Sequence, residues 1–314
     1  MSTIGVVVLT HNRAADLART LERMRELPAG ARLVVVDNAS ADGTAEMVGE
    51  RFPWIELVRL DANVGAAGRN AGAARLSTTH VAFCDDDTWW APGSLARAAA
   101  LLDAHPALGL VCGRVLVGPE ERDDPASVAM ASSALSLAPE LPGRPILGFL
   151  CAASMLRREA FVAAGGFEPR FFLGGEEELL ALDLAAAGWA LAYVPEIVVH
   201  HHPSLRRQAG RRQHLLLRNA LWSAWLRRSP RDALRRSRSV LARSRLRRER
   251  VAAVMAALRG LPWVLRHRRA VPAHIEDALR RLDGYADRRR RRLAGADSGV
   301  TSGVASGSSS RLAR

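Results

Sequence analysis

Three runs of like residues bring together groups able to do chemistry: Asp85-Asp86-Asp87, Glu176-Glu177-Glu178 and His200-His201-His202. Adjacent carboxylates repel one another and resist joint ionisation unless a cation compensates. Hard divalent ions such as Mg2+ or Mn2+ meet that need, taking oxygen ligands from one or two carboxylates plus substrate phosphates. A solvated acidic turn is the plainer reading of the aspartates alone. The glutamates follow Gly174-Gly175 and open an apolar stretch. Their plainer reading is a first helical turn whose acids match the helix dipole, although a carboxylate there is also able to deprotonate a hydroxyl. Histidines on an extended chain alternate sides, so at most two of the three share a face, His200 and His202. A polar strand end is the alternative for that run.

The elements around these groups decide whether they meet. Ile4–Thr10, Arg32–Asp37, Ile55–Leu60, His80–Cys84 and Leu108–Val117 are short β-branched, apolar runs that read as buried strands. Between them, Ala14–Leu27, Ala39–Glu50, Gly68–Leu76 and Ser94–His105 carry helical spacing or capping chemistry. This alternation predicts a parallel, doubly wound α/β sheet. Residues 118–145 read as an irregular excursion. A strand over Leu147–Leu156, helices over Arg158–Ala164 and Glu176–Ala187, and a last strand over Ala190–His200 follow. In such a sheet, ligands lie beyond the carboxyl ends of the strands. Thr10-His11-Asn12-Arg13, Asp37-Asn38-Ala39-Ser40, Asn63 to Asn70 and the aspartate triplet all follow strands, so they describe one polar rim. No Walker lysine motif and no dinucleotide glycine pattern follows the first strand, which disfavours ATP-driven phosphoryl transfer and NAD chemistry.

The chain resembles an inverting glycosyltransferase of family 2, with the GT-A nucleotide-sugar fold: a Rossmann-like, mostly parallel sheet flanked by helices. The stretches that carry the resemblance are Thr-His-Asn-Arg (10–13), Val-Val-Asp-Asn-Ala-Ser-Ala-Asp-Gly-Thr (35–44), Asn-Val-Gly-Ala-Ala-Gly-Arg-Asn-Ala-Gly (63–72), Phe-Cys-Asp-Asp-Asp (83–87), Gly-Gly-Phe-Glu (165–168) and Gly-Glu-Glu-Glu-Leu (175–179). By that resemblance Asp37 reads the nucleobase, most often uracil or thymine. Thr10, Asn12 and Arg13 lie near the nucleotide, and Asn63, Gly65 and Arg69 hold the ribose and diphosphate. Within the triplet, Asp87 coordinates the metal, Asp85 lies near the ribose or the metal, and Asp86 belongs to the nucleotide-sugar site. The family usually has Glu-Asp where this chain has Glu176-Glu177, which makes Glu177 the general base, one methylene longer than usual. Glu176 and Glu178 remain alternatives. A metal- or phosphate-binding histidine is implied at His200 or His202, with His201 left open. The resemblance implies a Mn2+ or Mg2+ cofactor, a UDP- or dTDP-sugar donor, and a hydroxyl of a cell-envelope glycan or lipid-linked acceptor. The physical chemistry agrees: a carboxylate accepts from a pyrimidine N3–H, glycines let a ligand approach the backbone, and arginine suits a phosphate.

Weaker features surround these. Trp89 and Trp90 suit either a sugar or the core. Cys84 reads as a small buried residue and His11 as local structure. Of Arg206, Arg207, Arg211 and Arg218, one or more are able to reach toward a diphosphate, with most expected at the surface.

The 314 residues, 48% hydrophobic and 25% charged, exclude global disorder and allow a large core. Three cysteines make no disulfide scaffold and fit a reducing compartment. Neither a signal peptide nor a membrane span is expected, so the expected location is cytoplasmic, peripheral at the inner face of the cell membrane. Every one of the 45 basic residues is arginine, and the net charge is +13. Residues 1–204 hold 16 Arg against 25 acids, whereas residues 205–293 hold 27 against 6. The division expected is therefore a catalytic domain over 1–204 (nucleotide-binding half 1–117, acceptor half 118–204), a basic helical region over 205–293, and a disordered Ser/Gly-rich tail over 294–314. Arginines interleaved with Leu, Val and Trp suit amphipathic helices on an anionic membrane. A solvated face and a nucleic-acid surface are the other readings. A nucleotidyltransferase on a related sheet is disfavoured, since it needs an early Gly-rich basic signature that Thr10–Arg13 does not supply.

Overall fold

The computed structural model describes residues 3–28, 30–136, 139–203, 213–243 and 247–300. In chain order the elements are β1 (Ile4–Thr10), α1 (Ala14–Arg23), β2 (Arg32–Asp37), α2 (Thr44–Arg51), β3 (Glu56–Arg59), α3 (Gly68–Ala74), β4 (His80–Asp85), β5 (Thr88–Trp90), α4 (Ser94–Ala104), β6 (Leu108–Val117), β7 (Arg122–Asp123), α5 (Pro125–Ala131), β8 (Arg144–Pro145), β9 (Ser154–Arg157), α6 (Arg158–Ala163), α7 (Glu176–Ala186) and β10 (Ala190–His201). Five further helices follow: α8 (Gln213–Arg227), α9 (Pro230–Arg243), α10 (Arg247–Arg259), α11 (Leu261–His267) and α12 (Ala273–Val300). The sheet order is β3-β2-β1-β4-β9-β6-β10-β5.

β1, β2 and β4 are continuous apolar runs because helices cover both sheet faces. Their parallel register brings Thr10 beside Asp37, and Leu9 beside Asp85. The strand ends thus form the expected rim. The small residues of α3 have a packing cause. A Cβ on Gly72 would stand 2.5 Å from Val7 and 2.8 Å from Val36, so only glycine lets this helix lie so close to the sheet.

Within the mostly parallel sheet, β9 runs antiparallel to both β4 and β6, and β5 antiparallel to β10. The structure departs from expectation in three places. The strand expected over Leu147–Leu156 shrinks to β9, preceded by a 3-10 turn at Cys151–Ala153. Ahead of β9, Phe149 and Cys151 are buried outside any strand. Helix α2 begins at Thr44, because Ala39 and Gly43 both take left-handed φ. The Asp42 carboxylate meanwhile accepts from the Ala14 and Thr44 N–H groups. The 118–145 excursion contains α5, whose N-cap Asp124 accepts from Ala126 N.

Helices α8 to α11 do not stand apart. Phe171, Leu179, Trp222, Leu226 and Val264 form one buried cluster joining α7, α8 and α11. Several arginines of this region are internal. Arg227 pairs with Asp183, and the buried Arg228 pairs with Glu276 and Asp283. Residues 204–212 and 301–314, including Arg206, Arg207, Arg211 and most of the expected tail, lie outside the described residues.

Candidate functional site

A crevice of about 540 Å³ opens at the carboxyl ends of β1, β2 and β4. Thr10, Arg13, Asn63, Gly65, Arg69 and all three aspartates line it, together with Asn38 and, from distant sequence, Phe172, Leu173, His214 and Leu215. Four of the predicted loops therefore converge.

Arginines divide the aspartates between them. Arg69, buried on α3, donates to Asp85 Oδ1 at 2.5 Å. Arg13 Nη1 donates to Asp86 Oδ1 at 2.9 Å and Asp87 Oδ2 at 2.8 Å. Thr10 Oγ1 donates to Asp86 Oδ2 at 3.0 Å. Burial, followed by the charges of Asp87 and Asp85, pushes the Asp86 carboxyl up to about 7 while Arg13 pulls it down. Burial opposes the charge on Arg69, yet Cys151, Asp85 and Glu176 around it hold its pKa above the usual arginine value.

Asn63 Oδ1 accepts from Gly65 N at 2.9 Å and Asn38 Nδ2 at 3.0 Å. Gly65 has φ +64, and a Cβ there would stand 1.9 Å from Phe172 O. The Gly65–Ala66 turn is thus pressed against Phe172, whose carbonyl accepts from Ala66 N at 2.6 Å and whose own φ is +61. A non-glycine residue in that region is strained, and α8 supplies the restraint. The fully buried Asn219 side chain donates to the carbonyls of Phe171 (2.8 Å), Leu173 (3.2 Å) and Gly174 (2.5 Å). Arg218, one of the four arginines after the histidine run, caps Phe171 O at 2.9 Å and lies over the Trp222 ring.

This loop delivers the glutamates. Glu177 Oε1 accepts from Cys151 N at 2.9 Å. Packing around the carboxyl and the Glu176 charge push Glu177 up to about 7, against the Cys151 N–H and Arg69. Asp85 raises it further, so its field reaches Glu177. Burial also raises Glu176, whose Oε2 is buried without a hydrogen bond among the described residues. Glu178 points elsewhere, 3.8 Å from Arg236.

Asp37, the histidine pair His200 and His202, and Asn12 do not line the crevice. Asp37 is buried, accepts from Ser40 N at 2.9 Å, and does not line the crevice. Its neighbour Asn38 does, because successive residues at a strand end face opposite ways. Asp37→Ala is therefore expected to lower the melting temperature, since Ser40 N loses its partner. An unchanged melting temperature in a thermal-shift measurement would reverse this assignment. His200 and His202 do share a face, but it is the face packed on Trp89, with ring centroids 5.5 and 4.7 Å away. His201 is the histidine beside the triplet, its Nε2 3.5 Å from Asp87 Oδ1. Asn12 spends its side chain locally: Oδ1 accepts from Ala41 N at 2.7 Å, and the residue lines a larger neighbouring groove rather than the crevice.

Trp90 is core. Burial pushes the Cys84 thiol up to about 12, so it is no nucleophile. His11 is local structure, its Nδ1 2.8 Å from Asn38 O.

The model of the family described as glycosyl transferase family 2 matches residues 5–163. N-acetylglucosaminyl-diphospho-decaprenol L-rhamnosyltransferase of Mycobacterium tuberculosis is 28% identical, over 79% of this chain and 95% of its own length. Among solved structures, the mannosyltransferase PcManGT of Pyrobaculum calidifontis, in complex with GDP-Man and Mn2+, superposes with a TM-score of 0.56. That match is at 21% identity and covers 89% of this chain and 85% of that one. S. aureus TarS 1–349 in complex with UDP-GlcNAc gives 0.58 at 16% identity, covering 82% and 71%. These likenesses establish the GT-A fold.

Proposed function

The chain belongs to glycosyl transferase family 2 and is a glycosyltransferase, and from that premise we propose a metal-dependent, inverting transfer from a UDP- or dTDP-sugar to a hydroxyl of a lipid-linked or cell-envelope glycan acceptor. One observation supports this reading: the buried Arg69 bonds Asp85 in the crevice, and its charge also lowers the pKa of Glu176 and Glu177.

In this reading Thr10, Arg13, Asn38, Asn63 and the Gly65 turn receive the nucleotide, with Asp85 and Asp86 at its ribose and diphosphate. Glu177 takes the proton from the acceptor hydroxyl. The freed oxygen forms its bond to the anomeric carbon as the bond from that carbon to the diphosphate oxygen breaks, and the configuration inverts. Arg69 and Arg13 balance the charge that collects on the departing diphosphate.

The donor set fits a divalent ion. Asp87 Oδ2 is taken by Arg13, while its Oδ1 faces the buried His201 Nε2, which makes no hydrogen bond among the described residues. Asp87 and His201 would hold the ion, and its Lewis acidity would stabilise the diphosphate. Among the described residues no three His, Cys, Asp or Glu side chains are grouped closely enough to hold a metal alone, so substrate phosphates and water would complete the shell. Mn2+ and UDP should accordingly each shift the melting temperature little, and together much. His201→Ala should raise the Mn2+ concentration needed for transfer, and His200→Ala should not. Full stabilisation by Mn2+ without nucleotide, or equal effects of the two substitutions, would remove this metal assignment.

The acceptor class is proposed from two features. The similar rhamnosyltransferase bears a lipid diphosphate acceptor in its name, and residues 205–293 of this chain are strongly basic. A thermal-shift screen of UDP-, dTDP- and GDP-sugars with Mn2+, followed by transfer to a polyprenyl-diphosphate sugar, tests the whole reading. Failure of every pyrimidine donor to bind would end it.

A further inference from the structure

We infer that the outward face of α10, continued by α11, is a docking surface for an anionic lipid bilayer. The inference deepens the acceptor reading above and rests on it for its purpose, though not for its evidence. Val251, Met255 and Leu258 are 56%, 49% and 54% exposed. Their i, i+4, i+7 spacing places them on one side of α10. The opposite side is buried, with Ala253 clustered with Leu217 and Val240, and Ala257 O accepting from Trp222 Nε1. On α11, Leu265 is 59% exposed and Leu261 37%, whereas Val264 between them is buried. Large apolar side chains presented in a row, rather than singly, mark an interaction site.

Charge selects the occupant. Arg247, Arg248, Arg259 and Arg266 are exposed on the same two helices, and the sequence from Arg247 to His267 holds five arginines against the single acid Glu249. An apolar stripe edged by arginines matches the acyl boundary and the anionic headgroups of a bilayer at once. A second copy of the chain fits poorly, since a two-fold contact would set these arginines against their own images. Among the described residues no helix is long and apolar enough to cross a membrane, so the contact is one of lying on the surface.

The placement suits the crevice. Helices α8 and α10 run in the same sense, Leu217 with Ala253 and Trp222 with Ala257 and Gly260. The Val251 end of the stripe therefore lies toward the end of α8 that carries His214 and Leu215, which line the crevice. A bilayer held on α10 would present an acceptor headgroup near that opening.

The test is co-sedimentation of the full chain with vesicles of phosphatidylcholine alone or mixed with phosphatidylglycerol, at low and high salt. Binding is expected only to the anionic vesicles. The triple variant Val251→Asp, Met255→Asp, Leu258→Asp should bind at least about tenfold more weakly, most clearly at high salt, where charge attraction is screened. Its UDP-dependent thermal shift should match that of the unaltered chain, which also shows that it folds. Equal vesicle binding by the variant overturns the inference, as does no binding by the unaltered chain, or light scattering that shows a dimer which the variant dissolves. If vesicles bind as expected while no sugar is transferred, the transferase reading fails and the docking surface stands.

Discussion

Glu177→Gln is expected to lower kcat for sugar transfer by about 10²–10⁴-fold, the range a positioned general base supplies, with donor affinity unchanged. The amide oxygen of glutamine still accepts from Cys151 N, so the 3-10 turn at Cys151–Ala153 keeps its partner and the fold should hold. The pH dependence makes the assignment specific. Only the ionised carboxylate takes a proton, and packing together with the Glu176 charge holds Glu177 near 7. Transfer by the unaltered enzyme should therefore rise with pH through about 7 and level off above it. In Glu177→Gln that limb should vanish from the residual rate. Glu177→Asp, which shortens the side chain to the length usual in the family, should keep the limb. A limb that survives in Glu177→Gln but disappears in Glu176→Gln would move the base by one residue. Retention of full activity by both variants would remove the acidic run from the chemistry.

How much of this site was legible in the sequence depends on the kind of signal each residue gives. Strand-end polar clusters are visible because the burying strand and the exposed loop differ sharply in composition. Thr10, Arg13, Asn63, Arg69 and Asp85 were found in that way, and the parallel register of β1, β2 and β4 brings them together. Which side of the chain a residue faces at the end of a strand was not legible. A shift of one residue puts Asn38 rather than Asp37, both buried, on the crevice wall, and His201 rather than His200 beside Asp87. Antiparallel β9 was hidden for another reason. Its four residues sit in a longer apolar stretch whose burial comes from packing as much as from pairing, so composition gives no edge. Asn219 lay among arginines in a helix read as a basic surface. Nothing local marks it, because its three acceptors are 45 to 48 residues away.

That residue supports the last large effect expected. Asn219→Leu keeps the branched shape and removes the side-chain donor to the Leu173 and Gly174 carbonyls, leaving Phe171 O with Arg218 alone. Burying such groups unsatisfied costs about 1–3 kcal/mol, which the melting temperature should register. A merely structural loss would stop there. The loop, however, holds Phe172 in a strained conformation against the Gly65 turn and leads directly into Glu176 and Glu177. When the clamp is released, Phe172 can relax away from Ala66 and the glutamates gain solvent. The expected consequence is a fall in kcat of about tenfold or more, since small misplacements of a reacting group are costly, with a smaller change in donor KM. The Glu177 limb should also move down from about 7 toward the ordinary carboxylate range as the packing that raised it loosens. A pH–rate profile separates the two cases. A variant with lowered stability, normal kcat and an unmoved limb would make Asn219 part of the scaffold alone. A lowered kcat with a shifted limb makes α8, and with it the basic carboxyl-terminal region, a positioning part of the active site.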